Sequence, residues 1–331
     1  MSAAPHTTRR PLRLDDVPGW FPVLDQTLFD WFLTRQEDTG VTGDLLEVGV
    51  YMGKSAIFTG RHVREGERYT VCDLFEGDAP DEANRAESTK SYSSLTRQAF
   101  EENYLSFHDE LPRVLQGPSS VVPQEVDPGS CRFVHVDASH LYEHVYGDIA
   151  AAQKALKPGG IVVLDDFRSE HTPGVSIAAW EAVLNRGLNP VCLSTQKLYG
   201  TWDDPEPWQE ALLEAVRERK DCRLSVQEAA GHRIIRLKSD GMKPPAFPLS
   251  RHGEAEEAAR AAEAAAAADA PQGPGAPGAS GFPTQGAGGR PAAPAASRPA
   301  RRPVPRSRAR RIAVDVLPPV VTRALRRMRA S

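Results

Sequence analysis

Four short segments hold the residue types that could do chemistry. The first, Glu47-Val48-Gly49-Val50-Tyr51-Met52-Gly53-Lys54-Ser55, places two glycines four apart between an apolar run and a helical one. Glycine lets the backbone turn tightly there and come close to a ligand. A helix opening at Gly53 to Ser55 presents free N–H groups to a carboxylate or phosphate. A Gly-x-x-x-Gly loop alone has low specificity. The second segment is the acid Asp73 at the end of the next apolar run, where a carboxylate can accept the two hydroxyls of a ribose; a lone acid there also serves as a plain strand-end cap. The third is Phe133-Val134-His135-Val136-Asp137-Ala138-Ser139-His140, and the fourth runs from Lys157-Pro158-Gly159-Gly160 through Ile161 to Leu164 into Asp165-Asp166-Phe167. Both end an apolar run in acid. The dinucleotide pattern Gly-x-Gly-x-x-Gly and the Walker pattern are absent, which speaks against NAD and against a phosphate-binding loop of the nucleotide-hydrolase kind.

The elements that must position these residues alternate. Short apolar runs at Leu45–Val50, Tyr69–Asp73, Arg113–Gln116, Phe133–Val136 and Ile161–Leu164 predict strands. Between them, helical spacing covers Lys54–Val63, Ser94–Phe107 and Tyr142–Leu156, the last stopped by Pro158-Gly159-Gly160, and 174–186 follows. Trp20 to Phe32 has the spacing of a helix packed on the domain. Pro190–Ser194, Lys197–Trp202, Arg223–Val226 and Arg233–Leu237 read as further strands, with a helix from about Pro207 to Arg219. This is the pattern of an α/β domain: a mostly parallel sheet with helices on both faces and antiparallel strands added at one edge. Residues 76–92 read as a polar loop, either a lid or plain surface.

With the elements in place, the order Glu-x-Gly-x-x-x-Gly-x-Ser, strand-end Asp, strand-Asp-x-x-His, Lys-Pro-Gly-Gly, strand, Asp-Asp resembles the class I S-adenosylmethionine-dependent methyltransferases, and within them the macrocin-type sugar O-methyltransferases. The resemblance runs from Leu45 to Phe167 and more loosely over 18–240. It implies a Rossmann-like methyltransferase fold. It also implies that Glu47, Gly49, Val50, Tyr51, Gly53 and Ser55 form the loop holding the amino-acid part of S-adenosylmethionine, that Asp73 holds its ribose, and that Gly117 to Ser120, with Ser119, lie near its adenine. Asp137 borders the same site. Asp137, Asp165 and Asp166 correspond to three carboxylates that bind a divalent metal, usually Mg²⁺. The chemistry agrees: clustered carboxylates repel unless a cation or protons intervene, and oxygen ligands suit Mg²⁺ better than Zn²⁺. Such an ion would hold a diol and lower its hydroxyl pKa. The pattern departs at Asp137-Ala138-Ser139, where relatives read Asp-Gly-Asp; His140 is the substitute base, with Asp137 beside it. His135 reads as a satisfied strand residue, Glu143 and Asp148 as solvated helix positions, with an approach of Glu143 to the metal as the other reading.

The remaining sequence sets the frame. Of 331 residues, 40% are apolar, enough for a substantial core. Net charge is −4, but from Arg290 onward there are 12 arginines against one acid, Asp315, leaving the preceding 289 residues at −15. Residues 1–18 read as a flexible arm, 19–240 as the methyltransferase domain, 241–300 as a low-complexity linker with an exposed Ala/Glu helix at Glu254–Ala268, and 301–331 as a disordered basic tail ending in a short amphipathic helix. That tail suits contact with an anionic surface, or solvation alone. The four cysteines make no zinc spacing and read as reduced thiols. Neither a signal peptide nor a membrane span is evident, so a cytoplasmic protein is expected. The expected reaction is O-methylation of a small hydroxylated metabolite or sugar. A methyltransferase-fold binding protein without catalysis is the alternative. The acceptor stays open, as does a homo-oligomer.

Overall fold

A computed structural model describes residues 10–91 and 95–268. Nine strands form one sheet in the order β3-β2-β1-β4-β5-β7-β6-β9-β8. The strands are β1 (Asp44–Val48), β2 (Tyr69–Asp73), β3 (Arg113–Gln116), β4 (Cys131–Val136), β5 (Leu156–Leu164), β6 (Asn189–Leu193), β7 (Leu198–Thr201), β8 (Cys222–Ala229) and β9 (His232–Ser239). β1 to β5 are mutually parallel. β7 runs antiparallel to β5 and β6, and β8 antiparallel to β9. The helices are α1 (Val23–Asp38), α2 (Lys54–Gly60), α3 (Glu82–Ser91), α4 (Arg97–Leu105), α5 (Val122–Glu125), α6 (Tyr142–Ala155), α7 (Pro173–Asn185), α8 (Glu206–Val216) and α9 (Arg251–Ala268). Every strand expected from the sequence is present, and the architecture is the Rossmann-like one.

The central strands β1, β2 and β4 and the Ile161–Leu164 half of β5 are largely apolar because both faces are covered. Successive residues alternate between two cores: Leu45, Phe133, Ile161 and Val163 pack with α1, α2 and α4, while Leu46, Val134, Val162 and Leu164 pack with α6 and α7. Each such side chain, fully buried, contributes roughly 1.5–3 kcal/mol. Phe29 of α1 meets Phe133, His135 and Tyr199 edge-on, at 5.1, 5.1 and 6.1 Å between ring centres. The helix is also bonded to the sheet, since the Tyr199 hydroxyl donates to Asp25 Oδ1 at 2.8 Å.

At the N-terminal end of the parallel strands lies a closed ionic knot. Arg132 is fully buried; its Nε donates to Glu67 Oε1 at 3.0 Å, its Nη2 to Glu67 Oε2 at 2.9 Å and its Nη1 to Gln36 Oε1 at 2.9 Å. Burial works to raise the Glu67 carboxyl, but Arg64 and Arg132 outweigh it and hold it at about 2.

Three expectations change. Of the arm expected over 1–18, residues 1–9 lie outside the described residues, and in the rest Leu14 and Val17 are buried. The domain does not stop at 240: Met242 is buried, Phe247 stacks on Phe58, and Ser250 N–H donates to the Leu12 carbonyl at 3.0 Å, so 241–250 closes over the start of the chain. Residues 82–91, expected as loop, form α3, with Asn84 N–H donating to Asp81 Oδ1 at 2.8 Å at its start. As expected, the helix α6 ends just before Lys157-Pro158-Gly159-Gly160, and that segment lies inside β5 as a bulge, between the pairs Cys131–Leu156 and Phe133–Ile161. Linker residues 269–300 and the basic tail at 301–331 lie outside the described residues. No described helix is long and apolar enough to cross a membrane.

Candidate functional site

Strand order reverses between β1 and β4, and at such a switch point the loops after the strands diverge and leave a crevice. A cavity of about 780 Å³ opens there, lined by the loops after β1, β2, β3, β4 and β5 and by α6. Of the residues expected around the cofactor, Gly49, Val50, Tyr51, Ser55, Asp73, Gly117, Ser119 and Asp137 line it.

The β1 loop is shaped by backbone constraints. Gly49 has φ +85°, and a Cβ there would lie 2.0 Å from the carbonyl oxygen of Asp137, so only glycine lets the β1 and β4 loops meet. Tyr51 takes a left-handed conformation, φ +48°. Asp73 holds this loop: its Oδ2 accepts the N–H groups of Val50 and Tyr51 at 2.8 and 3.0 Å, and its Oδ1 that of Phe75 at 2.9 Å. Burial lifts the Asp73 carboxyl above its ordinary value, and these amides only partly reverse it. Phe75 and Asp166, both facing the cavity, are also left-handed, at φ +51° and +54°. Three such non-glycine residues on one rim are the kind of backbone strain that collects at functional sites.

Glu47 and Gly53 do not face the cavity. Glu47 is fully buried below it, accepting from Ser55 Oγ at 2.5 Å and from the Tyr69 hydroxyl, with His135 Nδ1 at 3.1 Å. It braces the loop, and Gly53 seats α2 against Phe100.

At the β3 side, Cys72, Gly117, Ser119 and Asp148 border the hollow. Burial pushes the Cys72 thiol up to about 12, which makes it inert. Asp148, read in the sequence as a solvated helix position, is 3% exposed and has an oxygen, Oδ2, without any hydrogen-bond partner. Burial raises its carboxyl to about 6, against the lowering effect of the Ser119 hydroxyl. Trp20, expected in the helical core, precedes α1, is 73% exposed and stacks on Tyr51 at the cavity mouth, 5.7 Å between ring centres.

The acidic side rests on β4, β5 and the β6–β7 turn. His140 Nε2 lies 3.3 Å from Asp166 Oδ2, and Ser169 Oγ donates to Asp166 Oδ1 at 2.7 Å. Burial acts to raise the Asp166 carboxyl, yet His140 and Ser169 leave it below its ordinary value. Desolvation raises Asp137, with Lys197 and His135 opposing and Asp166 adding to the rise. Asp165 lines the cavity but is nearly buried. Its Oδ2 is ion-paired with the ammonium of Lys197, which is 1% exposed, and its Oδ1 accepts the Asp166 N–H at 2.7 Å. Ser139, where an acid was expected, bonds His144 Nδ1 at 3.0 Å, and His144 Nε2 reaches Asp81, just before α3, at 2.8 Å.

The three aspartates expected to bind magnesium therefore split. Ligand atoms within 4.8 Å of one another form two sets among the described residues, His135 with Asp137 and Asp165, and Asp137 with His140 and Asp166. Asp137, Asp165 and Asp166 do not form one set, because the Asp165 carboxylate turns to Lys197. Each set joins one histidine to two carboxylates.

Residues 46–167 match the family described as a methyltransferase domain. The strand order and the switch-point cavity are those of a Rossmann-like methyltransferase architecture. Among solved structures, the chain is similar to the O-methyltransferase NovP, at 19% identity and TM-score 0.43 over 53% of this chain and 78% of that one. It is also similar to CalS11, a TDP-rhamnose 3'-O-methyltransferase in calicheamicin biosynthesis, at 19% identity and TM-score 0.38 over 56% and 82% of the two chains. A third is the O-methyltransferase TomG from Streptomyces achromogenes, at 17% identity and TM-score 0.30 over 66% and 79%. No curated protein matches the sequence.

Proposed function

We propose that this chain transfers the methyl group of S-adenosylmethionine to a hydroxyl of a small molecule, a sugar or a phenolic metabolite. The observation that carries the reading is that one hollow gathers the Gly49–Tyr51 loop, Asp73, and the His140–Asp166 pair. When bound, S-adenosylmethionine supplies an electrophilic methyl group on a sulfonium. The residues present suit that molecule. Asp73 offers carboxylate oxygens to ribose hydroxyls, and the unpartnered Asp148 Oδ2 is a buried acceptor that an adenine amino group would satisfy.

On the acceptor side, His140 is the base. Asp166 accepts from its imidazole, orients the ring and stabilises the cation formed when His140 takes the hydroxyl proton. With the acceptor oxygen aligned, no further covalent participant is needed. No step in this reading runs through magnesium, since Asp165 is committed to Lys197.

Methyl transfer from labelled S-adenosylmethionine to a panel of sugars, diols and catechols tests the reading. Transfer that falls by roughly 10²–10⁴-fold in His140→Ala, the range for loss of a general base, is the expected result. Binding of S-adenosylhomocysteine with no transfer to any acceptor would favour a binding protein on the same fold.

A further inference from the structure

The acidic cluster holds a cation of its own. Lys197 comes from the turn between β6 and β7, far in sequence from the motifs that supply the aspartates. That turn is rigid: Ser194 N–H donates to the Lys197 carbonyl at 2.9 Å, and the Lys197 N–H donates to Ser194 Oγ at 2.9 Å. The side chain ends on Asp165 Oδ2, with both groups nearly sealed from solvent, at 1% and 7% exposure. His135 Nε2 lies 3.7 Å from the same oxygen. A compact ammonium is costly to bury and stays only where a carboxylate compensates it. A divalent ion drawn to Asp137 and Asp165 would have to displace that ammonium, leaving an uncompensated buried lysine, or sit beside it against direct charge repulsion.

We propose that Lys197 is the resident cation of this cluster, standing in for the divalent metal that the carboxylate pattern calls for. It acts as a positioning residue. By fixing Asp165, whose Oδ1 takes the Asp166 N–H, it holds the left-handed Asp166 so that its carboxylate faces His140. The inference rests on the methyltransferase reading only in assigning this cluster to the acceptor side.

The test uses the full chain freed of metal with EDTA. Melting temperature is followed with added Mg²⁺ or Mn²⁺, and Mn²⁺ uptake by electron paramagnetic resonance. For the unaltered protein, the expected result is an unchanged melting temperature and no Mn²⁺ uptake. Lys197→Met, which removes the charge and keeps the length, should melt lower, take up a single Mn²⁺, and regain part of the loss when it does. Adding Asp165→Asn to that variant should abolish the uptake. Lys197→Gln serves where Lys197→Met does not fold. Mn²⁺ uptake by the unaltered protein that is lost in Asp166→Asn would overturn the proposal. So would a folded Lys197 variant that gains no affinity for metal. A parallel calorimetric titration with S-adenosylhomocysteine separates the two readings: its failure would remove the methyltransferase assignment and leave the metal result standing.

Discussion

Both ends of the parallel sheet bury charge, and they do so in opposite ways. At the N-terminal end, Arg132 is matched by Glu67, Gln36 and a backbone carbonyl, and Glu67 by Arg64, Arg132 and the Gly43 amide. The knot is closed, each of its charged groups matched by the others. At the C-terminal end, the described structure has more acids than fixed cations, three left-handed non-glycine residues, an unpartnered carboxylate oxygen and a hollow of about 780 Å³. Buried charge alone therefore does not mark a site. Charge that is strained, unpartnered and adjacent to open volume does.

The comparison is broken most severely at the closed end. Glu67→Gln leaves Arg132 uncompensated and should cost about 3–5 kcal/mol of stability, read by urea unfolding, with affinity for S-adenosylhomocysteine unchanged in the folded fraction. The unaltered protein should show the same dependence through pH. The folded-state pKa of Glu67 lies below its ordinary value, so its contribution is complete above about pH 4.5 and is lost as pH falls toward about 2. Glu67→Gln should lack this loss.

At the open end, Gly49→Ala drives a methyl into the Asp137 carbonyl and should cost about 1–3 kcal/mol by overpacking, together with a fall in S-adenosylhomocysteine affinity that Glu67→Gln does not share. A similar fall in both variants would erase the distinction between the ends. The smallest effect has the opposite sign. The folded-state pKa of Asp148 is raised to about 6, so its contribution is fully present below about pH 3.8 and lost as pH rises through about 6. Asp148→Asn should therefore stabilise the ligand-free protein above pH 6 by on the order of 1–3 kcal/mol, and flatten the pH dependence between 4 and 6. A destabilised variant would mean that Asp148 already has a partner.

The same contrast explains what was legible in the sequence. The central strands were, because two-sided burial makes each one a short apolar run bounded by glycine, proline or acid. The shape of the β1 loop was legible too: Gly49 and Asp73 act through backbone geometry that ties residue type to position. α3 was not, because a helix polar all round has no period to read. Lys197 and Asp148 were not, because each reads as an ordinary surface residue until the β6–β7 turn and α6 bring it to the hollow. Arg132 likewise carries no local sign that it will be fully buried. Trp20 was misread because aromatic spacing cannot separate a core face from a cavity rim.

Calorimetric titration with S-adenosylhomocysteine, set beside NADH, tests the central claim most directly. The account predicts that S-adenosylhomocysteine binds with one site per chain, that Asp73→Ala weakens it by about 3 kcal/mol, on the order of 100-fold, and that NADH gives no heat. Binding of NADH in preference, or S-adenosylhomocysteine affinity untouched by Asp73→Ala, would contradict it.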